Sequence, residues 1–153
     1  MNRFPKVFIT TLLLFSTTLQ IHAQYIAPAS RPFTRQDTLR GSITPERSWW
    51  DLTYYHLDIV VNPSDSTING TNTVTYRVLK PAKLMQIDLQ EPLKLLKASQ
   101  NNKSLNFTRE GSVYWIELAE EQQKDKIYSV KLSYAGKPQV SLRPPWSGGI
   151  TWK

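Results

Sequence analysis

Residues 51–78 read DLTYYHLDIVVNPSDSTINGTNTVTYRV, and their periodicity decides the fold. Apolar side chains recur at every second position. Tyr55, Leu57, Ile59 and Val61 fall on one face of an extended strand, with Tyr54, His56 and Asp58 on the other. Asn62-Pro63-Ser64-Asp65-Ser66 ends that run with turn chemistry, because proline fixes φ and short polar side chains bond back to the main chain. Ile68, Val74, Tyr76 and Val78 then line one face of a second strand, opposed by Thr71, Thr73, Thr75 and Arg77. Threonines suit the exposed side of a pleat. Gly70 interrupts the start of this face, which signals a bulge or a close backbone approach.

The same period continues outward. Pro81 closes the second strand, and Met85, Ile87 and Leu89 form a short third one that stops at Glu91-Pro92. Leu93–Ala98 and Leu105–Arg109 flank Asn101-Asn102, residues that tolerate positive φ, so a tight hairpin is predicted there. Glu110-Gly111 turns into Val113–Leu118, which places Tyr114, Ile116 and Leu118 together. Ala119–Asp125 reads as a charged connection with a helical turn, and Ile127–Tyr134 as the last strand, with Tyr128, Val130, Leu132 and Tyr134 on one side. About seven strands, with no amphipathic helix among them, predict an all-β fold over residues 52–139. Its expected form is an antiparallel sandwich or a saddle-like curved double sheet.

The flanks read differently. Met1–Ala23 has the pattern of a secretory signal peptide: Arg3 and Lys6, an apolar stretch from Val7 to Phe15, and Ile21-His22-Ala23 at the cut. The apolar part is shorter than the ~20 residues a spanning helix needs, and no later stretch crosses a membrane. The product is therefore expected to be exported to the periplasm, the cell surface or the medium. Residues 24–51 are polar and punctuated by Pro28, Pro32 and Pro45, which predicts an extended arm. The arm ends in Trp49-Trp50, whose size predicts that they clamp it onto the body of the domain. Residues 140–153 form a loop-like tail in which the β period is lost.

Composition removes several chemistries. The chain of 153 residues has no cysteine, so it offers no disulfide, thiolate metal site or cysteine nucleophile. Its formal charge of +7 is spread over scattered lysines such as Lys80, Lys94, Lys103, Lys124 and Lys137. Without a block of like charge, that is a solvated surface rather than a nucleic-acid interface. After leader cleavage one histidine remains, His56, whereas a hydrolytic zinc site takes three protein ligands and an open position. No G-x-S-x-G turn or phosphate loop is present. Glu46, Asp51, Asp58, Asp88, Glu91 and Glu117 could in number supply a carboxylate pair, but their spacing singles none out. The residues alone thus describe an exported β-domain with no catalytic, cofactor-binding or metal-binding residues.

Several soft motifs in a fixed order add to this. They are Tyr55-His56-Leu57-Asp58-Ile59, then Ile68-Asn69-Gly70-Thr71-Asn72-Thr73-Val74, then Ile87-Asp88-Leu89, and later Val130-Lys131-Leu132-Ser133-Tyr134-Ala135-Gly136. With Pro144-Pro145-Trp146-Ser147-Gly148-Gly149-Ile150-Thr151-Trp152, they resemble the N-terminal β-domain of the M1 family of zinc aminopeptidases, in particular exported bacterial members. The resemblance spans Thr38–Lys153. It implies a saddle-shaped domain that packs on a thermolysin-like catalytic domain and partly walls the cleft for a peptide substrate. It also implies that zinc belongs to the full-length enzyme, whose Gly-x-Met-Glu-Asn and H-E-x-x-H motifs do not occur in this sequence. By that reading the chain is a truncated, inactive fragment whose partner is the missing catalytic domain. The loop Trp146-Ser147-Gly148-Gly149 is the part expected to approach the cleft. The competing expectation is a self-sufficient exported binding module that grips a peptide or carbohydrate with Trp49, Trp50, Trp115, Trp146 and Trp152.

Overall fold

The computed structural model describes residues 32–152; the leader expected over Met1–Ala23 and the first part of the arm lie outside the described residues. Seven strands follow two short helices: α1 (Arg35–Gly41), α2 (Pro45–Ser48), β1 (Trp50–Asn62), β2 (Thr67–Val78), β3 (Ala82–Asp88), β4 (Lys94–Gln100), β5 (Lys103–Glu110), β6 (Val113–Gln122) and β7 (Ile127–Gly136). They form one antiparallel sheet in the order β1-β2-β7-β4-β5-β6-β3.

This single sheet curls into a half-barrel instead of splitting into two layers. The curl turns on β5, which pairs with β4 through Lys103–Leu105 and with β6 through Asn106–Glu110. The concave face buries Val74, Tyr76 and Val78 of β2, Met85 of β3, Ala98 of β4, Ile116 and Leu118 of β6, and Val130 and Leu132 of β7. The alternating positions expected on β2, β6 and β7 are therefore the core positions. A buried polar trio sits among them: the Tyr76 hydroxyl donates to Gln122 Oε1 at 3.1 Å and accepts from Gln100 Nε2 at 3.2 Å.

The turns follow their residues. Asn101 and Asn102 take φ values of 50° and 63° in the two-residue β4–β5 loop. Between β1 and β2, the Asp65 carboxylate accepts from the Thr67 amide at 3.1 Å. Gly70 marks a close approach and not a bulge: a Cβ there would collide with the Asp58 carbonyl oxygen and lie 3.1 Å from Ile59 Cα. The register shift in this hairpin falls instead between Leu52 and Tyr54.

Three expectations are corrected. The arm over residues 33–49 is not extended; it carries both helices. Thr34 caps α1 in a reciprocal box, with its hydroxyl accepting from the Asp37 amide at 3.2 Å and the Asp37 carboxylate accepting from the Thr34 amide at 3.0 Å. Pro45 opens α2, where its missing N–H costs nothing. Second, Ala119–Gln122 continues strand β6 rather than turning helically, because Ala82 pairs with Gln122 and Gln122 joins the buried trio. Third, the apolar face of β1 is not buried. Tyr55, Leu57, Ile59 and Val61 are each about half exposed, because β1 is an edge strand and the half-barrel does not close over it.

The other edge is partly covered. Trp49 is buried, its indole N–H donates to the Leu84 carbonyl of β3 at 2.8 Å, and its ring meets Tyr76 edge-on at 5.6 Å. Thr44 donates to Gln86 Oε1 at 2.6 Å, and Gln86 Nε2 donates to the Leu39 carbonyl at 3.3 Å. Helices and Trp49 together cover the middle of β3, leaving Lys83, Leu84 and Asp88 exposed, and among the described residues no such segment lies along β1.

Candidate functional site

The loop singled out in the sequence is a closed structure. Val140 and Ile150 form a parallel bridge, with the Ile150 amide donating to the Gln139 carbonyl at 2.8 Å and the Ser141 amide to the Ile150 carbonyl at 3.1 Å. Ser147 is spent inside the loop: its Oγ accepts from the Arg143 amide at 2.8 Å and lies 2.9 Å from Ser141 Oγ. Gly149 has φ of 119°, and a Cβ there would lie 2.6 Å from the Gln139 carbonyl oxygen, so its role is to let the chain pass close to itself. Gly148 has open space around it, and Trp146 is 89% exposed. Of the four residues, then, Ser147 and Gly149 shape the loop, and Trp146 is presented by it.

A second feature was not legible as a site. The mouth of the half-barrel, between β1 and β3, holds a cleft of about 330 Å³ lined by Tyr55, Leu57, Ile68, Ile87, Leu93 and Tyr134, among others. It is mostly apolar, with two polar exceptions. Asn72 Oδ1 is buried at its floor and has no hydrogen-bond partner. Asp88 stands at its rim, in an ion pair with Arg47. Burial and the nearby Asp88 charge push the Tyr55 phenol above its ordinary range, and burial does the same to Tyr134. A recess beside Gly148-Gly149 shares Leu93 with this cleft, so loop and cleft lie on neighbouring surface. The sequence signal was present in the apolar face of β1. It read as core because periodicity reports an apolar face and not what covers it.

The candidate catalytic residues are dispersed among the described residues. His56 is exposed on edge strand β1, and among the described residues no three of His, Cys, Asp and Glu gather into a group that could hold a metal ion. Three of the carboxylates that might have formed an acid–base pair are committed to arginines: Asp51 to Arg77 at 3.1 Å, Glu91 to Arg109 at 3.3 Å, and Asp88 to Arg47. Three of the five tryptophans are held within the domain, whereas Trp146 is exposed. Trp49 is buried, Trp50 packs against Tyr76 at 5.7 Å, and Trp115 is half-buried with its N–H donating to Glu110 at 3.3 Å.

No protein-family model and no curated protein matches the sequence. Solved structures do. An M1 zinc metallopeptidase from Deinococcus radiodurans superposes with a TM-score of 0.53 at 21% identity, over 62% of this chain and 22% of that one. A mutant of the M1 enzyme from the same organism, bound to a Tyr-Ser-Ala substrate, gives 0.58 at 18% identity, over 70% and 26%. A two-domain M1 zinc metallopeptidase mutant bound to L-tryptophan gives 0.53 at 22%, over 62% and 22%. The match thus spans about a quarter of the length of these structures, and the zinc chemistry in their titles is a property of those proteins. The curled seven-stranded sheet has the fold of part of the M1 zinc metallopeptidases.

Proposed function

We propose that this chain is the N-terminal, non-catalytic β-domain of an exported M1-like zinc aminopeptidase, which supports the catalytic domain and helps wall its peptide cleft. The observation that carries the reading is the fold match to a quarter of the M1 structures, joined to the lack of any metal-holding group among the described residues. Export is supported by the leader pattern over Met1–Ala23. The apolar cleft at the half-barrel mouth and the neighbouring 140–150 loop offer the surface such a domain would turn toward its partner. In the complete enzyme the metal would activate water for attack on the N-terminal peptide bond. The residues here would only shape and exclude water from the approach. The test is to read the gene beyond the codon for Lys153. An in-frame H-E-x-x-H motif with a downstream Glu supports the assignment, and an in-frame stop with no such motif removes it.

A further inference from the structure

We propose that the bare edge of β1 pairs with the β1 edge of a second copy of this chain, antiparallel and centred on Leu57. This does not depend on the family reading. It begins from the inequality of the two sheet edges: β3 is partly covered by Trp49 and the helices, with Met85 and Gln86 buried, whereas β1 runs 13 residues with every residue from Asp51 to Asn62 exposed. Edge strands usually carry lysine, proline or a covering segment against unwanted pairing. Between Trp50 and Asn62 there is no lysine, arginine or proline. The strand is instead rich in aromatic and β-branched residues, which favour cross-strand packing.

The second copy is selected by complementarity. In an antiparallel pair between identical strands, opposed residue numbers have a constant sum. Only even sums set outward-facing backbone groups against outward-facing ones, because these groups alternate along a strand. A sum of 112 sets His56 against itself, and a sum of 116 sets Asp58 against itself. The sum of 114 lays His56 against Asp58 twice over, an imidazole N–H donor facing a carboxylate acceptor at both ends of the two-fold axis. The same register opposes Tyr55 with Ile59 and Tyr54 with Val60, aromatic against β-branched, and Leu57 with its own copy. All of these are favourable cross-strand pairs. The sequence of this edge is therefore complementary to itself in one register.

The experiment uses the 153-residue chain, in which the absence of cysteine makes any introduced thiol a clean reporter. Under mild oxidation L57C should form a disulfide-linked dimer, since opposed Cα atoms lie about 4.5–5.5 Å apart. I59C should not, because its two thiols would be offset by four residues, roughly 13 Å. In sedimentation velocity, H56D and D58K should each weaken self-association about tenfold. An equimolar mixture of the two should restore it, since each then faces an opposite charge. Matching circular dichroism and melting curves guard against misfolding, as both side chains are exposed. A chain that stays monomeric at every concentration overturns the proposal, as does an I59C crosslink in preference to L57C, or a dimer indifferent to both charge variants. Protection of β1 amides only on adding a different polypeptide would assign the edge to that partner and equally overturn it.

Discussion

Replacing Trp49 with alanine tests whether the N-terminal arm is part of the folded unit. The residue is 3% exposed and packs edge-on against Tyr76 at 5.6 Å, and its indole N–H supplies the Leu84 carbonyl at 2.8 Å. Its own carbonyl accepts from the Leu79 and Lys80 amides at 2.7 and 3.1 Å, which anchors the arm beside the end of β2. Truncating a buried tryptophan costs about 3–5 kcal/mol. The upper half of that range is expected here, because the Leu84 carbonyl also loses its donor. W49F keeps most of the ring and loses the hydrogen bond, so about 1–2 kcal/mol is expected. W146A, at an 89% exposed position, should change stability by less than about 0.5 kcal/mol. Urea unfolding followed by far-UV circular dichroism, with m-values compared, measures all three. A W49A cost no larger than that of W146A would refute the claim that the arm is integral to the core.

Four further outcomes follow from the packing and hydrogen bonds of the domain. Y76F removes the hydroxyl at the centre of the buried trio while Gln100 and Gln122 remain within 3.2 Å of each other; a loss of about 1–2 kcal/mol in the same urea assay is expected. Burial raises the Tyr76 phenol from 10.0 to about 12, so both states are protonated below pH 10 and stability is intact there. Above it the unfolded chain loses that proton first, so stability should fall between pH 10 and 12 at about 1.4 kcal/mol per pH unit, checked by unfolding curves of wild type against Y76F. G70A should cost about 1–3 kcal/mol, because backbone atoms of Asp58 and Ile59 stand where the methyl would go; amide exchange should report it first along β1. The Arg35 hydrogen bonds hold the Glu110 carboxyl below its ordinary range, so the ion pair joining α1 to β5 persists above that range and is lost as pH falls through the lowered value. E110Q should abolish the corresponding acid-range step in α1 amide exchange.

Most of the sheet was legible because its strands bury one face. Tyr76 and Val78, Ile116 and Leu118, Val130 and Leu132 each alternate with polar neighbours, and each is core. The hairpin at Asn101-Asn102 was legible because only a few residues accept its positive φ. Helix α1 was missed because Leu39 is its one buried residue, so no 3.6-residue stripe exists; the Thr34-x-x-Asp37 capping pattern was the available signal. The extension of β6 through Glu120 and Glu121 was missed because charged residues there face solvent, and pairing with Ala82 is a long-range fact. The cleft was illegible for a related reason. Tyr55 and Leu57 alternate like core residues, and only the open mouth of the half-barrel leaves them half exposed. In the loop, the close approach that Gly149 permits is to its own chain at Gln139, a contact that no pattern in the sequence announces.

The role proposed for this domain is to support a hydrolytic centre without supplying it. Its most direct test is to purify the 153-residue chain from zinc-containing medium, measure bound metal by mass spectrometry, and assay hydrolysis of an aminoacyl anilide with and without chelator. The account predicts substoichiometric zinc and no chelator-sensitive turnover. One zinc per chain with turnover that disappears on chelation would contradict it.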